Sequence, residues 1–156
     1  MVDIACGRGR HTLAALRDGL PCLGVDRNAA HLHELRAAAR EERLGAPRLV
    51  RADLESAPHP PLRRERFGAV LVFRYLHRPL IPQLAALLRP GGLLLYETFT
   101  IHQRKLGYGP KNPAFLLRDG ELPTLFPELE LLGHWEGVEQ RGERPEAVAR
   151  LTARKG

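Results

Sequence analysis

The chain has 156 residues, a length typical of one domain with its own hydrophobic core. Its 24 lysine and arginine residues outnumber 18 aspartate and glutamate residues, giving a formal net charge of +6. No segment approaches the roughly 20 consecutive apolar residues of a membrane-spanning helix. Two cysteines, Cys6 and Cys22, are too few for a disulfide scaffold or a cysteine-based metal site. We therefore expect a single cytoplasmic domain, 1–156, with no membrane partner and no metal.

The positive charge favours encounters with anions, including nucleic acids. Nucleic-acid channels usually concentrate cations and aromatic side chains in one stripe. Here the basic residues are mostly arginines and are scattered, with one dense run at residues 63–66. We interpret the arginine richness as a product of base composition and stability, and keep nucleic acid as an alternative partner.

Short apolar runs alternate with helical stretches along the chain. The runs occupy residues 2–5, 21–25, 48–52, 69–73 and 93–98, and the predicted helices occupy 11–19, 29–43 and 79–88. Continuous apolar runs of this length are typical of parallel strands buried on both faces. The pattern predicts an α/β fold with a doubly wound, Rossmann-like, mostly parallel sheet flanked by helices.

Three further segments complete this pattern. Residues 100–113 show little periodicity and are predicted to form a loop across the ligand pocket, and residues 58–61 form a shorter irregular loop. Residues 129–138 and 148–154 are predicted to form a C-terminal antiparallel hairpin joined through Gly142.

The most informative motif is the turn at residues 3–9, which places Gly7 and Gly9 between the first strand and the first helix. Glycine lets a ligand approach the backbone, and the free N–H groups of a helix start point toward that ligand. Asp26 closes the second apolar run, where an acid can accept hydrogen bonds from ribose hydroxyls. The third small residue of a dinucleotide fingerprint falls on Thr12, which breaks that pattern. The motif therefore predicts an adenosine-type cofactor other than a dinucleotide.

The turn resembles the first motif of class I S-adenosylmethionine-dependent methyltransferases, and the resemblance continues through an acid after the third strand, the fourth strand and the turn at residues 89–92. The C-terminal third is similar to small tellurite-resistance-type methyltransferases. Those enzymes tend to carry a His-Arg pair in the last hairpin where this chain has Gln140 and Arg141, which argues against tellurite as the substrate. The resemblance implies S-adenosyl-L-methionine as cofactor, S-adenosyl-L-homocysteine as product, and a cofactor site formed by Asp3, Ala5, Cys6, Gly7, Gly9, Arg10, Asp26, Arg27, Asn28, Asp53, Leu54 and Phe73.

Several of these residues have a second interpretation. Asp26 could instead cap a helix, and Asp53 could be a solvated loop acid. Asp3 is expected to accept hydrogen bonds from the N–H groups of its own glycine turn. Cys6 is interpreted as a small residue tolerated in that turn, with a nucleophilic thiol as the alternative.

Arg74, Tyr75 and His77 follow the fourth strand, where methyl transfer takes place in this fold. These side chains suit an anionic or oxygen-rich acceptor, with Arg74 orienting it and His77 as a candidate base. The alternative is that His77 caps the next helix and Tyr75 lines the adenine. Arg141, with His102 and Tyr108, is a further candidate for the acceptor side. The remaining histidines, among them His11, His31 and His59, are interpreted as surface or packing residues.

The resulting hypothesis is methyl transfer to a small-molecule acceptor by in-line displacement. Methylation of RNA, tRNA or another nucleic acid is one alternative, and a cofactor-binding, non-catalytic subunit or regulator is another. Similar enzymes usually carry a segment before the first strand that covers the cofactor, whereas here only Met1 and Val2 precede Asp3. We therefore expect either that the start of the chain is missing or misassigned, or that the lid is absent and the open pocket is completed by a partner.

Overall fold

The computed structural model of the chain describes residues 1–56 and 62–156. The predicted loop at residues 58–61, with His59, lies outside the described residues. The strands are β1 (Val2–Ile4), β2 (Leu23–Asp26), β3 (Arg48–Arg51), β4 (Phe67–Phe73), β5 (Leu88–Phe99), β6 (Glu130–Arg141) and β7 (Arg144–Arg154). The helices are α1 (Arg10–Arg17), α2 (Ala29–Glu41), α3 (Ile81–Leu87) and α4 (Glu121–Thr124), with 3-10 helices at Arg78–Leu80, Ile101–Leu106 and Pro113–Phe115.

The described strands form one sheet in the order β3-β2-β1-β4-β5-β7-β6. The first five strands are parallel, and β7 lies antiparallel between β5 and β6. The order in which the strands are added along the sheet reverses between β1 and β4. In open α/β sheets, ligands bind at the carboxyl ends of the strands beside such a reversal. This topology confirms the predicted doubly wound fold and its C-terminal hairpin.

The central strands are buried on both faces because helices cover each side of the sheet. Val2, Ile4, Val70 and Val72 have no exposed surface. On one face, α3 and α4 pack against β4, β5 and β7 in the largest apolar cluster. On the other face α2 buries Leu32, Leu35 and Ala39, as its periodicity predicts, and α1 buries Leu13 beside them.

Asn28 is the N-cap of α2, since its side-chain oxygen accepts hydrogen bonds from Ala30 N at 2.9 Å and His31 N at 3.4 Å. The predicted cap is therefore confirmed. No helix within the described ranges is long and apolar enough to cross a membrane.

Two local predictions are wrong. Cys22 precedes β2, which begins at Leu23 because pairing with β1 starts there. The predicted irregular loop at 100–113 contains the 3-10 helix Ile101–Leu106, which is held by tertiary contacts that periodicity does not reveal. Its Gln103 is fully buried, donates from Nε2 to Tyr108 O at 3.1 Å and accepts from Ala147 N at 2.9 Å.

Replacing Gly9 with alanine should lower the free energy of unfolding by roughly 2 to 4 kcal/mol, because two costs add. Gly9 has φ of 80°, and a Cβ at this position would lie within 2.8 Å of three side-chain carbons of the buried Leu35. Gly19→Ala is the matched control: φ is 70°, but a Cβ there meets no atom within 4 Å. Urea titration of both variants measures the difference, and equal losses would contradict the packing argument.

Candidate functional site

The turn between β1 and α1 is built from left-handed backbone. Ala5, Gly7 and Gly9 have φ of 53°, 55° and 80°. Cys6 N donates to Val25 O at 2.9 Å, which extends the contact between β1 and β2 into the turn, and Gly9 N donates to Cys6 O at 2.9 Å. The left-handed Ala5 is unexpected from the sequence, which predicts that the strand continues through it; a residue with a Cβ adopts this conformation at a cost.

Asp26 ties this turn to the end of β2. Its Oδ2 accepts from Gly7 N at 2.8 Å, and its Oδ1 accepts from Asn28 N at 2.8 Å. A carboxylate has about four acceptor positions, so these two hydrogen bonds leave capacity for a ligand. Asp26 is therefore positioned by two backbone amides and remains able to accept further hydrogen bonds.

A cavity of about 400 Å³ lies beside this turn at the carboxyl ends of β1, β2, β3 and β4. It brings together seven of the predicted cofactor residues: Ala5, Gly7, Asp26, Arg27, Asn28, Asp53 and Leu54. The other predicted residues, which do not line it, are Asp3, Cys6, Gly9, Arg10 and Phe73. His31, interpreted from sequence as a surface or packing residue, lines the cavity with Nδ1 at 3.9 Å from Asp26 Oδ1.

Asp3 supports the site from below the turn. Its Oδ2 accepts from the Thr12 N–H at 3.0 Å and from the Thr12 hydroxyl at 2.8 Å. The prediction that Asp3 accepts from its own glycine turn is therefore wrong, because its side chain points from β1 under the first turn of α1. Burial raises the pKa of Asp3 from 3.8 to about 6, against the lowering effect of the Thr12 hydrogen bonds.

Cys6 does not have the lowered pKa of a reactive thiol. Burial, with smaller contributions from the negative charges of Asp3 and Asp26, raises the pKa of Cys6 to about 12. The thiol stays protonated at neutral pH, and the nucleophilic alternative loses its basis. The packing interpretation of Cys6 stands.

Arg74 and Tyr75 enter the site where β4 ends. Arg74 has φ of 57°, a left-handed turn that directs the chain out of the sheet, and its N–H donates to Glu97 O at 2.8 Å. Both residues line the 400 Å³ cavity. The carbonyl of Tyr75 accepts from the buried Tyr96 hydroxyl at 2.8 Å, so the strand end is anchored in the core.

Arg74 and Arg141 both pair with the carboxylate of Glu146. Arg74 binds this carboxylate with two parallel hydrogen bonds, Nη1–Oε1 at 2.9 Å and Nη2–Oε2 at 2.5 Å. Arg141 Nε lies 3.8 Å from the same carboxylate. Arg141 also pairs with Glu97 and with Glu139, each at 2.5 Å. The structure therefore brings two of the predicted catalytic residues into one charged cluster.

The same cluster continues into the sheet through Arg150, which pairs with Glu97 at 2.6 Å and with Glu139. Glu97 is 4% exposed, and the hydrogen bonds and charges of Arg150 and Arg141 hold its pKa below the usual range despite its burial. The arginine–glutamate cluster comprises Arg74, Arg141, Arg150, Glu97, Glu139 and Glu146. Sequence reasoning missed its three acids, although Glu97 at the end of the fifth apolar run was a signal.

His77, His102 and Tyr108 do not line the 400 Å³ cavity. His77 occupies the N-cap position of the 3-10 helix Arg78–Leu80, as the alternative interpretation places it, and its carbonyl accepts from Leu80 N at 2.9 Å. Its side chain makes no capping hydrogen bond to the described residues. His102 pairs with Asp119 at 2.9 Å. The Tyr108 hydroxyl donates to the carbonyl of Pro145.

His11 of α1 packs against Phe73 at the end of β4. Their rings stack with centroids 3.7 Å apart, which agrees with the packing interpretation of His11. Burial and the nearby Arg10 lower the pKa of His11, so its imidazole is neutral at pH 7. Phe73 therefore packs against α1 and does not line the 400 Å³ cavity.

The sheet order, the glycine turn and Asp26 define a class I S-adenosylmethionine-dependent methyltransferase fold. A family model described as a methyltransferase domain matches residues 1–92, and the chain belongs to this family. It is 37% identical over 102 residues to trans-aconitate 2-methyltransferase of Paracidovorax citrulli (strain AAC00-1), a match that covers 62% of this chain and 37% of that protein. The chain thus spans well under half the length of this curated relative.

Solved structures show the same fold. TehB from Haemophilus influenzae has a TM-score of 0.79 at 18% identity, covering 99% of this chain and 57% of that one. Geranyl diphosphate C-methyltransferase from Streptomyces coelicolor A3(2), solved with Mg²⁺, geranyl diphosphate and S-adenosyl-L-homocysteine, has a TM-score of 0.72 at 18% identity, covering 99% and 72%. At these identities the likeness concerns the fold alone.

The ionisation of Asp3 should make stability depend on pH. Its pKa is about 6 in the folded protein against 3.8 unfolded, so the folded state binds the proton more tightly. The contribution of Asp3 to the free energy of unfolding is fully present below pH 4. About 3 kcal/mol of it is lost as pH rises through 6.

Asp3→Asn removes this ionisation and keeps an oxygen that accepts from Thr12 N–H. The variant should gain free energy of unfolding relative to wild type between pH 4 and pH 7.5, measured by urea titration at both values. A difference that stays constant with pH would show that Asp3 titrates normally.

Proposed function

We propose that this chain binds S-adenosyl-L-methionine in the 400 Å³ cavity and transfers its methyl group to a small-molecule acceptor. The observation that carries the proposal is the hydrogen bond from Gly7 N to Asp26 Oδ2 at 2.8 Å, which holds an acid with spare acceptor capacity on the cavity wall. We also propose a cytoplasmic location, as expected from the sequence.

The residues present fit the cofactor. Gly7 has open space where a Cβ would stand, so a ligand can approach the main chain of the turn. Asp26 offers acceptors for ribose hydroxyls. Also lining the cavity, Asp53 uses Oδ1 to accept from Glu55 N at 2.9 Å, and Leu54 adds an apolar surface for a purine ring.

When bound, S-adenosyl-L-methionine supplies an electrophilic methyl group. The protein then needs to hold the acceptor in line with it and to exclude water, effects that can lower a barrier by ~7–11 kcal/mol. In this proposal Arg74 and Tyr75 orient the acceptor from the end of β4, and Arg141 acts through the arginine–glutamate cluster by holding Glu146. His77, which does not line this cavity, stays a candidate base from the sequence.

One relative supports a small-molecule acceptor, since its name specifies trans-aconitate as the molecule it methylates. Nucleic-acid methylation and a non-catalytic binding role stay predictions from the sequence. A broad screen of acceptor pools with a labelled methyl donor separates these possibilities.

Calorimetry with S-adenosyl-L-homocysteine tests the cofactor site. Asp26→Asn should weaken binding on the order of tenfold to a hundredfold, because it removes charge-assisted hydrogen bonds to the ligand. Asp18→Asn, at the exposed C-cap of α1, is the matched control and should bind as wild type does. Thermal unfolding verifies that both variants fold. Equal affinity of Asp26→Asn and wild type, or no binding by wild type, would overturn the proposal.

A further inference from the structure

A second cavity, of about 300 Å³, adjoins the first at the end of β4. The two share three lining residues, Glu55, Arg74 and Tyr75. A molecule in the second cavity would therefore lie next to a ligand in the first. The volume is in the range of small-molecule sites.

Apolar side chains supply most of the remaining wall. Leu76 and Phe99 are buried, and Pro110 and Phe115 come from the segment that crosses the site after β5. Phe115 is 49% exposed, although neighbouring Leu116 and Leu117 are buried. An aromatic ring exposed at a cavity mouth offers a surface for the apolar body of a ligand.

Tyr75 contributes a hydrogen-bonding group that no described residue satisfies. Its hydroxyl is buried and has no hydrogen-bond partner among the residues described. Burial is the largest cause of its raised pKa, followed by Glu55 and Asp53, so the phenol keeps its proton at neutral pH. Buried hydroxyls are normally paired, and an oxygen of a ligand would supply the missing acceptor.

Arg74 presents a guanidinium that is already arranged to bind a carboxylate. Two of its five N–H groups donate to Glu146, and its Cζ lies 4.9 Å from the centroid of the Phe99 ring. The cation is thus held in place by Glu146 and by an aromatic ring of the cavity wall. Glu55, the acid among the described residues that line this cavity, pairs with Arg27 at 3.7 Å.

We propose that the second cavity binds the methyl acceptor and that this acceptor is a small carboxylate with an apolar body. Its carboxylate accepts from the Arg74 guanidinium and the Tyr75 hydroxyl, and its body lies against Phe99, Pro110 and Phe115. This inference rests on the proposed function, because it assigns the acceptor side of the same site.

A carboxylate acceptor also matches the chemistry of the cavity wall. When a carboxylate oxygen forms its bond to the methyl carbon, the carbon–sulfur bond breaks and its electron pair stays on sulfur. The products are a methyl ester and S-adenosyl-L-homocysteine, and no proton is released. The transfer therefore needs no base, in agreement with the lack of any histidine among the described residues that line this cavity.

Binding measurements on the full chain saturated with S-adenosyl-L-homocysteine test the ligand class. The probes are phenylacetate and hexanoate, each compared with its amide and with phenethylamine or hexylamine. We expect both carboxylates to bind at least tenfold more tightly than the matched amides and amines. Amides or amines that bind as tightly as the carboxylates, or carboxylates that do not bind, would overturn the inference.

Substitutions test whether the Tyr75 hydroxyl and the Arg74 guanidinium donate to the bound carboxylate. Tyr75→Phe keeps the ring and removes the hydroxyl, and Arg74→Gln removes the cation; each should weaken carboxylate binding about tenfold and leave amide binding unchanged. Arg40→Gln removes an exposed arginine of α2 that lines neither cavity, and should bind the carboxylates as wild type does. Equal losses in Arg40→Gln and Arg74→Gln would overturn the assignment of Arg74 as a donor.

Affinity for S-adenosyl-L-homocysteine, measured first for every variant, separates the two proposals. Normal cofactor affinity without carboxylate selectivity overturns the acceptor assignment and leaves the proposed function standing. Loss of cofactor binding by wild type overturns the proposed function itself.

Discussion

The hydrogen bond between Gly7 N and Asp26 Oδ2 is the constraint on which the rest of the site depends. It joins the turn after β1 to the end of β2, beside the point where the strand order reverses. The left-handed backbone of Ala5 and Gly7 is strained or entropically costly, and persists because neighbouring groups hold it. Asp3 contributes from below by fixing Thr12 and so the first turn of α1. These hydrogen bonds therefore position the cavity wall.

A second constraint acts on the acceptor side. The arginine–glutamate cluster connects the end of β4 to β5, β6 and β7, so the position of Arg74 depends on the C-terminal hairpin. Its three arginines are balanced by three glutamates. Buried or half-buried charges of this kind cost desolvation and are retained where their geometry matters. In this protein the geometry fixes a guanidinium at the boundary between two cavities.

Most of the fold was predictable because its signals are local. Continuous apolar runs identified the buried parallel strands, and Asn28 marked the start of α2. Predictions failed where long-range contacts outweighed local pattern. The segment after β5 lacks periodicity, yet buried Gln103 holds it as a 3-10 helix through hydrogen bonds to Tyr108 and Ala147. Asp3 binds Thr12 because β1 lies under α1, a packing relation that residue spacing does not contain.

The sequence by itself determined the class of fold and predicted the site beside the glycine turn, because the apolar runs, the turn and the acid at the end of β2 are signals carried by residues close together in the chain. Only the tertiary structure decided the acceptor side. Arg74 and Glu146 are 72 residues apart in sequence, and their contact exists because β7 pairs with β5 beside β4. The Tyr75 hydroxyl, which has no hydrogen-bond partner among the described residues, likewise becomes buried only when the surrounding chain packs around it. A sequence motif reflects the backbone conformation that nearby residues require. A pocket, in contrast, is lined by residues from distant parts of the chain that come into contact only after the sheet has assembled.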